Sequence, residues 1–105
     1  METVEIPKDV WSPISGLVRH GIYKNEKSAL INIVHDMSLS KMKETENTIH
    51  GFEKKYRITF EGFEKQIESA VKEDFEKWDD YIEWKAYYKS YLYWKSIHEE
   101  SSQWL

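Results

Sequence analysis

Cysteine is absent from the 105 residues, which excludes disulfide staples, a thiolate metal site and a cysteine nucleophile. Glycine occurs four times and proline twice, the last at Pro13, so nearly everything downstream is free to be helix. There is no glycine-rich phosphate loop and no serine elbow motif, and the chain is expected not to be an enzyme. No apolar run approaches the ~20 residues that a membrane helix needs, and no signal peptide opens the chain. Fifteen basic residues against nineteen acidic ones leave a net charge of −4. That balance predicts a soluble cytoplasmic protein rather than a basic nucleic-acid coat. His20, His35, His50 and His98 form no i,i+4 pair and no carboxylate–histidine motif, so they read as scattered surface residues. Neither a metal nor a cofactor is expected. Asp79, Asp80 and Glu83 form an acidic cluster that reads as the solvated start of a helix.

The aromatic residues are unevenly placed. Ten fall between Phe75 and Trp104, whereas the stretch before Phe52 carries only Trp11 and Tyr23. The two halves are built for different work.

Near the start, Val4-Glu5-Ile6 alternates apolar and polar residues, and Pro7 limits further pairing, which predicts a short strand. A strand this short leaves its ladder groups open, and a second copy of the same strand is the obvious partner, so the chain is expected to be a homodimer. Ser12-Pro13 predicts a helix start, with Ile14, Leu17 and Val18 on one face and Gly21 as a left-handed stop. Asn25 caps a long second helix, with Glu26 in its first turn. Ala29, Leu30, Ile33, Val34 and Met37 form an apolar stripe, which Met42, Ile49 and Tyr56 continue at seven-residue spacing. Ser38 and Thr45 stand where the companion row should be apolar, so the stripe thins there. The helix is expected to run to about Lys55, with a bend near Ser38 to Ser40.

A break follows at Arg57-Ile58. Thr59 then caps a third helix, with Phe60, Phe63, Ile67 and Val71 inward. Lys72-Glu73-Asp74 marks the next boundary, and a last helix runs from Phe75 to about His98. That helix is aromatic nearly all round. Its rings are either a core of large side chains or a binding surface, and periodicity does not decide between them. On the second reading Trp84, Tyr87, Tyr88, Tyr91 and Trp94 are partner-binding anchors, while Trp78 and Ile82 belong to the interior.

Val4, Ile6, Pro7, Leu17, Gly21, Tyr23, Asn25, Ala29 and Leu30, with the G-x-Y-x-N turn at Gly21 to Asn25, resemble the ribbon-helix-helix family of dimeric repressors and antitoxins. The stretch from about 52 to 85 is similar to the tail of small archaeal antitoxins paired with TumE-type toxins. The first resemblance implies a dimer core of Val4, Ile6, Leu30, Ile33, Val34 and Met37. It also implies DNA contacts from Thr3, Glu5, Lys24, Asn25 and Lys27. Glu5 departs from the family, placing a carboxylate where a basic or amide residue is usual and so opposing the phosphates.

The expected fold is mainly α: a short N-terminal strand, then three or four helices, forming a ribbon-helix-helix-like dimer with a helical C-terminal extension. Residues 1–55 would be the dimerisation region and 56–105 the partner-binding arm. The expected function is that of an antitoxin in a type II toxin–antitoxin pair. It would neutralise a small toxin protein through the C-terminal helices and repress its own promoter by binding operator DNA. A helical scaffold or adaptor without DNA binding is the alternative.

Overall fold

A computed structural model describes residues 3–105. Four helices follow one another: α1 (Lys8–Arg19), α2 (Glu26–Tyr56), α3 (Phe60–Ser69) and α4 (Phe75–Ser102). The mainly α expectation holds, but the N-terminal strand does not. Among the described residues there is no strand, and residues 3–7 before α1 form no regular element. Val4 is 82% exposed, so the alternation around it meets no apolar surface that would fix a strand. With the strand goes the ribbon that was to join two subunits.

Helix α1 begins one turn earlier than Ser12-Pro13 suggested. The Pro7 carbonyl accepts from the backbone N–H groups of Val10 and Trp11 at 3.1 and 3.0 Å, and Pro13 lies inside the helix. Proline there removes one intrahelical bond, and the helix carries on past it. Gly21 stops it as expected, with φ +78. The Gly21 and Ile22 N–H groups close back onto the Val18 and Leu17 carbonyls, both at 3.0 Å. Asn25 caps α2, its side-chain oxygen accepting from the Ser28 N–H at 2.8 Å. Thr59 and Asp74 do the same for α3 and α4. Arg57 ends α2 in the left-handed conformation at φ 54, which turns the chain so that α3 folds back onto α4.

Helices α2 and α4 form one long antiparallel hairpin, and the molecule measures 61 × 25 × 24 Å. His35 meets Ser101, Ser38 meets His98, Phe52 stacks on Trp84, and Tyr56 donates to Asp80. These pairs share a single register, which sets Met42 opposite Trp94, Thr45 opposite Tyr91 and Ile49 opposite Tyr87. Along each helix the seam residues alternate steps of three and four, the spacing of a coiled coil. Ser38 and Thr45, where the apolar stripe thinned, are buried members of that seam. At Ser38 and Thr45 a ring on α4 faces a small residue on α2, so the volume there is filled from one side. The regions 1–55 and 56–105 therefore meet along the whole seam.

The apolar core sits at the closed end, where α3 caps the hairpin. Phe60, Phe63, Tyr81 and Trp84 are buried there, with Ile49, Phe52, Tyr56 and Tyr88 packed around them. The Trp84 ring lies 5.2 Å from Phe63, 5.5 Å from Phe52 and 5.7 Å from Phe60. Val71, expected inward, is fully exposed because α3 ends at Ser69, before the chain reaches it. No helix among the described residues is long and apolar enough to cross a membrane.

Candidate protein-docking surface

Once α4 has packed against α2 and α3, one of its faces remains bare. Phe75, Trp78 and Ile82 lie at i, i+3 and i+7, on the side of α4 away from α2. They are 77%, 51% and 53% exposed. Between the end of α3 and the start of α4 an open groove of about 750 Å³ runs beside this ridge, lined by Ile67, Ala70, Phe75 and Trp78. On a chain this small, three large apolar side chains in one exposed row mark a surface suited to another macromolecule.

The ridge is held rigid from behind. The Tyr81 hydroxyl donates to Glu64 at 2.6 Å and the Tyr88 hydroxyl donates to Glu61 at 2.9 Å, tying α4 to α3. The Glu64 bond pushes the Tyr81 phenol up, and the Glu61 bond does the same for Tyr88. Lys55 donates to Asp80 at 2.7 Å and to Glu76 at 3.0 Å, tying α4 to α2. Those bonds raise Lys55, while the Lys55 bond first and the Tyr56 bond second hold Asp80 below the usual carboxylate range. Desolvation, then the Asp80 bond, pushes the Tyr56 phenol up to about 12. Asp80 is thus a structural acceptor. Asp79 and Glu83, on the outer side, make no ion pair among the described residues and lie beside the ridge as an acidic rim.

The structure exchanges the roles expected of the aromatic residues. Trp84 is 0% exposed at the centre of the core, so it is no surface anchor, while Trp78 and Ile82, assigned to the interior, form the exposed ridge. Tyr87, Tyr91 and Trp94 are half-buried in the α2 seam, and the Tyr88 ring stacks 4.9 Å from Phe60. Leu30, Ile33, Val34 and Met37, the expected dimer core, lie together on α2 beside the seam and remain part- to half-exposed. Val4 and Ile6 lie in the irregular segment before α1, 82% and 41% exposed. Thr3 and Glu5 are exposed in that same segment. Asn25 spends its side chain on the cap of α2, Lys27 stands 5.9 Å over the Trp104 ring, and Lys24 is exposed in the turn before α2. The structure does not bring these residues into one basic surface.

Two residues that had read as scattered on the surface are brought together. His35 and His98 stack across the hairpin with ring centroids 4.3 Å apart. Ser101 and Ser38 donate to the His98 and His35 carbonyls at 3.0 and 2.8 Å, and their oxygens lie 3.2 and 3.4 Å from the Nδ1 atoms of His35 and His98. The seven-residue rows His35–Met42–Ile49–Tyr56 on α2 and Trp84–Tyr91–His98 on α4 are the signal that would have put each histidine on a seam face. No protein-family model, curated protein or solved structure matches this chain.

Proposed function

We propose that the chain is an antitoxin-type binding protein, which silences a small toxin by seating the Phe75–Trp78–Ile82 ridge in an apolar groove of that partner. The exposed ridge is the observation that carries this reading. It lies within the stretch from about 52 to 85 that is similar to archaeal antitoxin tails. Ridge residues at helical spacing are the anchors that helix-in-groove recognition uses. The rim of Asp79 and Glu83 favours a basic surface on the partner and adds to the rate of encounter. Repression of its own promoter is no part of this proposal, because the ribbon that would have read the operator is not formed. A helical adaptor is the second reading, favoured by the 61 Å length of the hairpin.

The test is co-expression with the product of the adjacent reading frame, followed by co-purification and a growth assay. The parent chain is expected to co-purify with that protein and relieve its toxicity. Trp78→Ala with Ile82→Ala is expected to weaken binding at least tenfold and restore toxicity, while leaving the helical content unchanged. Neutralisation that survives the double substitution would overturn the ridge as the docking surface. A neighbour that binds without being toxic would favour the adaptor.

A further inference from the structure

We propose that the chain also docks with a second copy of itself, through the first half of α2 packed antiparallel on its equivalent, with no strand involved. Glu26, Leu30, Ile33, Val34, Met37 and Lys41 fall on one face of α2 at steps of four, three, one, three and four. The hairpin seam uses the neighbouring face, through Ile31, His35 and Ser38. Ile33, Val34 and Met37 are therefore left 38%, 44% and 52% exposed. Beside them a shallow groove of about 310 Å³, bordered by Leu30, Val34, Ile97 and Trp104, extends the apolar surface onto α4.

The order of charges along this face selects the occupant. It reads acid, four apolar residues, base, and the steps are the same in both directions. Turned end for end, a second copy sets Glu26 against Lys41 and Leu30 against Met37 at each end, with Ile33 and Val34 meeting at the middle. A parallel arrangement would put Glu26 against Glu26 and Lys41 against Lys41. An interface that is complementary to itself under a two-fold rotation is the property an isologous dimer needs. Among the described residues the ion pair of Lys41 is with the exposed Glu44 one turn away, at 3.5 Å, a surface contact that leaves the ammonium able to turn to a partner. The face spans fifteen steps of helix, about 22 Å, enough for four turns of contact. This surface is distinct from the Phe75–Trp78–Ile82 ridge, so the inference stands apart from the toxin reading.

The test is the mass of the full chain in solution at about 1 to 100 micromolar, by sedimentation equilibrium, for the parent and four variants. The parent is expected to run at twice 12.7 kDa. Val34→Asp is expected to give a monomer with unchanged helical circular dichroism, since the residue is half-exposed in the single chain. Glu26→Lys and Lys41→Glu should each raise the dissociation constant about tenfold, and the double variant carrying both should return it to within about threefold of the parent. The double variant exchanges two surface charges, so it remains informative even where Val34→Asp fails to fold. A parent that stays monomeric at 100 micromolar would overturn the proposal. So would charge-swapped single variants whose losses the double variant does not repair.

Discussion

The two ends of the hairpin are held by different physics. At the closed end α3 completes a three-helix core in which the Trp84 ring lies against Phe52, Phe60 and Phe63. At the open end the same two helices meet through stacked imidazoles and serine hydroxyls. Burying an indole ring removes roughly 200 Å² from water, worth about 5 kcal/mol. A seam hydrogen bond contributes only about 1 kcal/mol, because it replaces one made to water. Stability is therefore concentrated at the closed end. The open end supplies register instead, since sliding α2 by one residue would unstack His35 from His98 and take their Nδ1 atoms away from Ser101 and Ser38.

Trp84→Ala is the heaviest blow to that arrangement, and should cost about 3–5 kcal/mol by leaving a cavity among rings that cannot collapse into it. Trp78→Ala, half-exposed on the same helix and 5.7 Å from the Tyr81 ring, should cost only about 1–2 kcal/mol. Urea denaturation followed by circular dichroism measures both. Equal losses would mean that the ridge is packed in solution and that the contrast between the two faces of α4 is wrong. The middle of the seam has its own probe in Thr45→Leu, which places a larger branched side chain opposite the Tyr91 ring. Overpacking should cost about 1–3 kcal/mol. A neutral or stabilised variant would show that the middle of the seam is loose.

How much of this was legible in the sequence follows the range of each interaction. The caps at Asn25, Thr59 and Asp74 and the stop at Gly21 are local, and a few residues suffice to fix them. The break at Arg57-Ile58 and the inward pair Phe60 and Phe63 were legible for the same reason. The strand was misread because alternation over three residues needs a neighbour to give it meaning, and none lies beside Val4. The choice between Trp78 and Trp84 failed for another reason. Helix α4 carries rings nearly all round, so its own periodicity does not say which side faces α2. That answer lies in the α2 seam, where Ser38 and Thr45 make room for rings. His35 and His98 are far apart in sequence and meet only once the register is known.

A smaller effect separates the ends by pH. Asp80 is held below its ordinary range by Lys55 and then Tyr56, so the folded chain binds a proton there less readily than the unfolded one. The stabilisation from Asp80 is present above the ordinary carboxylate range, around pH 4, and is lost as pH falls through the lower folded value. Stability is therefore expected to decline on acidification in that window, and Asp80→Asn should flatten the decline. The readout is the denaturation midpoint between about pH 2 and pH 5. An unchanged slope in the variant would show that Asp80 is not a linked group.

The smallest expected effect is a gain. Arg57 is the only residue other than glycine with positive φ among the described residues, and it sits in the turn that delivers α3 to the closed end. A side chain in that conformation costs about 1 kcal/mol through crowding of Cβ against the backbone, and glycine does not carry that cost. Arg57→Gly loses part of the benefit, because glycine frees the unfolded chain, so the net gain should be a few tenths of a kcal/mol up to about 1. The melting temperature would rise by a few degrees. The sharper measurement is native-state hydrogen exchange, which reads each end separately. Amides of residues 49–56 and 81–88 should become more protected in Arg57→Gly, while those of residues 31–38 and 98–101 should keep their parent values, because opening the polar seam does not require undoing the turn at Arg57. Equal protection gained at both ends would mean that the hairpin opens only as a whole, and that the division between an aromatic end and a polar end has no counterpart in its dynamics.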